Sequence, residues 1–315
     1  MHYFNKKNNF LHGIMFHHFH DRTKHIESQG SINSKDFTKI IKFIGRKNIL
    51  NADDFLKEKN RNTKSKKVCF TFDDGLKSQI DVALPILKKF KIKGVFFVYS
   101  SIFTNKPNLL EVYRYFRTKY FKNVNSFYEL FFKLIGENKI KNFIKFKKRE
   151  IKKKKKAFPF YTINDIKFRL VRDELLSDRE YNQIFKKMFK LSKFNPRKVY
   201  KKLFLSKKDL KTISDAGHMV GLHSHSHPTQ FSKLSLIQQK KELKINHSFI
   251  KRITNKKVKC ISYPCGDYNI HTLRILRNMS IKFGFKQVLN NRSKYIKSLL
   301  EIPREDHSNI MKRIS

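Results

Sequence analysis

Short apolar runs alternate with amphipathic stretches at both ends of the chain. The segment HGIMFHHFHD (12–21) is apolar and then turns polar, which predicts a strand ending in a polar loop. Over 31–50 apolar residues recur at helical spacing from Phe37, with Ser34 as a candidate N-cap and Gly45 as the stop. KKVCFTFDDG (66–75) predicts a buried strand that runs into a turn. The next stretch, 78–101, predicts a helix, a turn at Gly94 and the strand VFFVYSS. Strand, helix and strand at this spacing make a βαβ unit, and hence a parallel sheet. The rhythm returns with a helix over 206–216, the strand HMVGLHS and a helix over 233–252. The strand VKCISYPCG, a helix over 269–279 and a strand near 281–289 follow. The fold class read from this pattern is α/β.

The middle of the chain has another texture. From 107 to 200 charged and aromatic residues alternate with helical periodicity and glycine is almost absent. We read 107–200 as a lysine-rich helical insertion into a domain made of 1–106 and 201–315. Its run of five lysines at 152–156 reads as a solvated face.

Composition changes this picture little. The chain has 315 residues, 39% of them apolar and 31 of them phenylalanine, which is enough for a sizeable core. Lys+Arg is 71 against Asp+Glu 25, a formal net charge of +46. Such an excess fits a polyanion partner. It equally fits a compositional bias, because lysine outweighs arginine, Asn, Ile and Phe are abundant with it, and the lysines are spread along the whole chain. The bias is the preferred reading, so no specific nucleic-acid partner is expected, only weak, salt-sensitive attraction to anionic surfaces such as a membrane face. Cys69, Cys260 and Cys265 show no CxxC spacing and point to thiols in a reducing compartment. No apolar run is long enough to cross a bilayer and the first residues show no export signal, so a cytoplasmic protein is expected.

The chemistry concentrates in three short stretches. TFDDG (71–75) sets two carboxylates side by side at a predicted strand end, where like charges repel unless a cation or a solvated turn relieves them. HSHSHP (223–228) alternates three histidines as a strand runs into Pro228. Two imidazoles and one carboxylate make a three-ligand set with a position left open for water, the arrangement of catalytic zinc sites. Both stretches lie at carboxyl-terminal strand ends, where parallel α/β folds place their sites.

With SYPCGDYN (262–269), these stretches occur in the order and style of the polysaccharide deacetylases, also called the NodB-homology or carbohydrate esterase family four. MFHHFH resembles that family's opening strand, with Phe16 and His17 in the place of its YH. The resemblance covers roughly 1–105 and 205–310. It implies a distorted (β/α) barrel of the NodB type and metal-dependent hydrolysis of N- or O-acetyl groups on sugars. It implies Asp73 as catalytic base, Asp74, His223 and His227 as metal ligands, and the backbone N–H of Cys265 as an oxyanion donor. His225 falls on a variable position and is left out of the ligand set. The metal expected is zinc, with cobalt, nickel or manganese as alternatives.

The sequence departs from the family pattern in two places. Ser262 stands where an arginine usually orients the base, and no clean leucine-x-histidine motif supplies the acid. LLEIPREDH (299–307) offers replacements: Arg304 for the orienting arginine, and His307, or alternatively His17, for the acid. The substrate expected is an N-acylated sugar, acetylated or formylated and carried on a nucleotide or lipid, in the making of a cell-surface polysaccharide or lipopolysaccharide precursor. Two readings stand against this one. A catalytically silent basic binding protein on the same fold would not need the Asp73, Asp74, His223 and His227 set. A two-histidine-one-carboxylate iron enzyme would leave the second aspartate without a task.

Overall fold

The computed structural model describes residues 3–5, 8–58, 65–104, 108–157, 161–287 and 298–314. The chain forms two compact units, one of residues 1–108 and 201–315 and one of 109–200.

The first unit is built on strands β1 (His12–Phe16), β2 (Ile49–Leu50), β3 (Val68–Phe72), β4 (Val95–Val98), β5 (Met219–Leu222), β6 (Cys260–Ser262), β7 (Phe283–Phe285) and β8 (Arg304–Asp306). All pairings are parallel, in the order β7-β6-β5-β4-β3-β1-β8, with β2 beside β3. Ile302, just before β8, nearly closes the ring. Its N–H donates to Gly284 O at 2.7 Å and its carbonyl accepts from Lys286 N at 2.9 Å. The result is a distorted (β/α) barrel.

Around it lie α1 (Ser34–Ile44), α2 (Ala52–Lys57) and α3 (Leu84–Lys89). The second unit holds α4 (Leu110–Tyr120), α5 (Val124–Ile135), α6 (Glu137–Phe146), α7 (Lys148–Ala157), α8 (Ile163–Leu170) and α9 (Asp178–Leu191). The chain continues through α10 (Tyr200–Leu203), α11 (Lys207–Asp215), α12 (Leu236–Thr254), α13 (Ile270–Asn278) and α14 (His307–Ile314). No helix among the described residues is long and apolar enough to cross a membrane.

Strand alternation sorts the core into two layers. Ile14, Phe16, Phe70, Phe72 and Phe96 face outward, packed with α1 residues such as Phe37, Ile40 and Ile41. Cys69, Val95, Phe97, Cys260 and Phe285 fill the barrel interior. Arg304 also points inward, its guanidinium 5.8 Å from the Phe97 ring centre. Gly13 is its register partner on β1, and a Cβ there would meet Arg304 Cγ at 2.8 Å. The missing side chain is what admits the arginine stem.

Local details differ from the sequence reading. The N-cap of α1 is Asn33, not Ser34, because its side chain takes the Lys35 and Asp36 amides in a capping box. A π-helical turn, Gln79–Ala83, precedes α3. The short β2 and α2 carry too few residues to show a period. β5 stops at Leu222, so the three histidines are not strand residues. The last expected strand is Phe283–Phe285; residues 288–289 of that expectation lie outside the described residues.

Candidate metal centre and active site

The carboxyl ends of β1, β3, β5 and β6, with β8, bring the candidate residues together. Asp73 leaves β3 with its backbone N–H on Phe16 O at 3.0 Å. It is buried, and its carboxylate meets the Arg304 guanidinium head-on, Nη1 to Oδ1 and Nη2 to Oδ2 each at 2.8 Å. Ser262 completes the set by donating to Asp73 Oδ2 at 2.9 Å and accepting from Arg304 Nη2 at 2.8 Å. Burial pushes the Asp73 carboxyl up, but the charges of Arg304 and His223 outweigh it and hold the group below its usual range. A bidentate pair of this kind also fixes the plane of the carboxylate. Oδ1 accepts the bond from Arg304 Nη1 and keeps a lone pair for a further donor.

Asp74 turns the other way because its backbone is left-handed, with φ 76°. Its Oδ1 lies 3.3 Å from His223 Nε2 and 3.4 Å from His227 Nε2. His223 Nδ1 is 2.7 Å from Ser262 O, a bond that only an N–H can make. The neutral ring therefore presents the Nε2 lone pair to a carboxylate oxygen, acceptor against acceptor. Only a proton or a cation between them relieves this. Burial lowers the basicity of His223, but its hydrogen bond to Asp74 and the charges of both aspartates raise it further than burial lowers it. One ligand atom from each of Asp74, His223 and His227 can lie within 4.8 Å of the others, and all three residues are buried. Two imidazole nitrogens and a carboxylate oxygen, with one ring anchored by a backbone carbonyl, suit zinc and its divalent neighbours.

The chain accepts strained backbone to build this. Among the described residues eight non-glycines have positive φ, and four of them, Asp74, Ser224, His227 and Cys265, lie in these loops. Such a conformation costs roughly 1–2 kcal/mol per residue. It persists where the surroundings over-determine it, which is characteristic of functional loops. Here α12 does so. Glu242 accepts from His225 N, Ser226 N and Ser226 Oγ at 2.7–2.9 Å. Asn246 accepts from His223 N and donates to Val98 O, each at 2.9 Å.

His17 joins the cluster, with Nε2 3.9 Å from Asp73 Oδ2 and the side chain 24% exposed. Cys265 lies in the turn Pro264–Gly266 directly after β6, with an exposed thiol. His225 is held by Ser100 Oγ at 2.9 Å. His307 is not in the cluster, which removes it as the acid. It opens α14 just beyond β8, on the outer face of the wall. There it stacks on Phe16 at 5.5 Å, with its nitrogens 3.2 Å from Met15 O and 3.0 Å from Gly30 O. Nor is it exposed, at 4%.

The sequence reading missed several supporting residues. Gln79 is fully buried and donates through Nε2 to the carbonyls of His17 and Asp73, tying the two loops together. Its Oε1 has no partner among the described residues. Glu242 and Asn246 stand one turn apart, and Asn246 shares the buried face of α12 with Leu243 and Ile250. A polar residue inside an apolar helical stripe was the available signal.

The sequence profile of the family described as polysaccharide deacetylase matches residues 60–115 and 127–284, more than half of the chain. The chain belongs to the polysaccharide deacetylase family. The match contains Asp73, Asp74, His223, His227 and Cys265, whereas His17, Arg304 and His307 lie outside it. No curated protein sequence matches at a significant level. Solved deacetylases share the fold. The Streptococcus pyogenes deacetylase PplD, in complex with acetate, is 16% identical with a TM-score of 0.53, over 97% of this chain and 98% of its own. IcaB from Ammonifex degensii is 14% identical with a TM-score of 0.56, over 95% of this chain and 91% of its own. A de-N-acetylase from Aggregatibacter actinomycetemcomitans is 12% identical with a TM-score of 0.54, over 97% and 99%. The barrel is thus of the NodB deacetylase type.

Proposed function

We propose that the protein is a metal-dependent hydrolase that removes an acetyl or formyl group from an N-acylated sugar. The observation that carries this reading is the pair of adjacent carboxylates with opposite partners: Asp73 against a guanidinium, Asp74 against two imidazoles. A divalent cation held by Asp74, His223 and His227 would supply Lewis acidity and acidify a water enough for a base as weak as Asp73 to serve. Asp73 Oδ1 takes the proton of the attacking water, while Arg304 and Ser262 keep the carboxylate ionised and oriented. The Cys265 N–H would serve as a donor to the oxyanion. His17, across from Asp73, gives a proton to the departing amine, which is a poor leaving group without one. The substrate proposed is a sugar precursor of a cell-surface polysaccharide or lipopolysaccharide, carried on a nucleotide or a lipid, and the compartment proposed is the cytoplasm.

The test is metal content of the purified wild type beside Asp74→Ala, with acetate and formate release measured on N-acylated sugars and nucleotide sugars. The expected result is about one metal per chain in the wild type, lost in the variant together with turnover. A folded wild type that takes up no metal after reconstitution overturns the reading.

A further inference from the structure

The lysine run in the helical unit is not a sample of the chain's general bias. Across the whole chain 71 of 315 residues are basic, but eleven of the eighteen in 139–156 are, and Glu150 is the single acid among them. The run also divides into two faces. On one, Ile151 is buried, Lys147 pairs with Glu150 at 3.1 Å and Glu174 at 2.5 Å, and Lys154 pairs with Glu150 at 3.5 Å. On the other, Lys141, Lys145, Lys148, Lys152, Lys153 and Lys156 are exposed, and none makes an ion pair among the described residues. Lys148, Lys152 and Lys156 follow one another at four-residue steps, so they share one side of α7. Where α6 meets α7, Phe146 stands 81% exposed, the most exposed of the large apolar residues described. Nothing in α6 is buried; Ile140 and Phe143 are half-covered.

We infer that this face of α6 and α7 docks the protein on an anionic phospholipid bilayer. Bare cations clustered on one helix side attract any polyanion, but a phenyl ring exposed beside them gains from an apolar phase. A basic cluster with an apolar anchor is the two-signal combination that holds a protein at a bilayer surface. A nucleic acid would use the lysines and could stack one base on Phe146, but it would leave the other side of that ring in water, whereas a bilayer takes the whole ring out of it. The inference is independent of the hydrolase reading, since no residue of the barrel site takes part.

The experiment is co-sedimentation of the full chain with vesicles of phosphatidylcholine alone and of phosphatidylcholine with phosphatidylglycerol. Binding is expected only to the anionic vesicles. It should fall about fivefold for each lysine that reaches the surface, and so by more than a hundredfold in a Lys148→Gln, Lys152→Gln, Lys153→Gln, Lys156→Gln variant. Phe146→Ser should weaken it about tenfold. A control with the same charge change in the barrel unit, at the exposed Lys207, Lys208, Lys240 and Lys244, should bind nearly as the wild type does. All these positions are exposed, so unchanged thermal melts are expected to accompany the losses. Equal loss in the two quadruple variants assigns the attraction to net charge and overturns the inference. Full retention in Phe146→Ser, with tight binding of inorganic polyphosphate or DNA, assigns a soluble polyanion and overturns it as well. So does absence of binding to anionic vesicles.

Discussion

Two sets of buried histidines occupy different regions of the barrel. At the carboxyl-terminal rim His223 and His227 face the Asp74 carboxylate. At the amino-terminal end and on the outer wall His12, His218 and His307 face chiefly backbone groups and hydroxyls, with Asp306 Oδ1 also 3.7 Å from His307 Nδ1. His12 contacts Phe10 O at 2.6 Å and Tyr3 Oη at 2.7 Å, and His218 Nδ1 accepts the Gly94 N–H at 3.1 Å. Burial is similar in both regions, yet it has opposite outcomes. It lowers the basicity of His218, and also that of His12, where the Phe10 carbonyl and the Glu305 charge oppose it only in part. At His223 the two aspartates reverse it. Burial alone therefore says nothing about function. What sets the rim apart is two imidazoles converging on one buried carboxylate oxygen.

The contrast breaks most severely at Arg304. It is the cation that lets Asp73 stay ionised in the barrel, and both groups are buried. Arg304→Met keeps the stem and removes the charge. Breaking a buried pair from one side costs about 3–5 kcal/mol, which thermal melts would register as a large loss. The linkage also has a sign. Asp73 is depressed in the folded protein, so its contribution is full above the ordinary carboxylate range and disappears as pH falls through its folded value. In the variant that contribution is gone at neutral pH, and the acid limb of the pH–rate profile moves to higher pH. An unmoved limb would detach Arg304 from the base.

The next contrast sets His17 against His307. Removing a general acid costs about 10²–10⁴-fold in turnover, so His17→Ala should fall in that range while the fold persists, because its side chain is partly open to solvent. His307→Ala should do the reverse: turnover within a few-fold, with stability lost by about 3 kcal/mol as the ring leaves a cavity against Phe16. Measuring kcat and melting temperature on both variants separates the roles, and a catalytic defect confined to His307→Ala would invert the assignment.

Much of this layout was legible in the sequence. Short, largely apolar runs of four or five residues bounded by turns read as buried parallel strands, and Asp73, Asp74 and His223 follow directly on two of them. What the period could not show was geometry beyond the strand ends. His223 and His227 meet because Ser224 and His227 adopt left-handed backbone, not through strand alternation. Arg304 reaches Asp73 from β8 because that strand neighbours β1, a closure no local pattern encodes. His307 looked as available as His17 because the sequence does not show that the last strand stops at Asp306 and that His307 opens a helix on the outer wall. Gln79 hid in a π-helical turn, where helical spacing misassigns which side a residue faces.

The smallest effect concerns His218, and it tests the wall in isolation. Its Nδ1 accepts the Gly94 amide, so the ring must stay neutral, and burial followed by Lys93 pulls its pKa down from 6.5 to about 4. The unfolded chain takes up the proton first as pH falls. Stability from this group is therefore full above about pH 6.5 and drains away toward about pH 4. Between neutral pH and pH 5 the loss is about 2 kcal/mol. His218→Asn keeps an acceptor for Gly94 and cannot titrate. Denaturant unfolding of both proteins at the two pH values should show a pH dependence smaller by that amount in the variant. Equal slopes would mean that the Gly94 contact survives protonation, and that the neutrality of the wall histidines is not what distinguishes them from the rim.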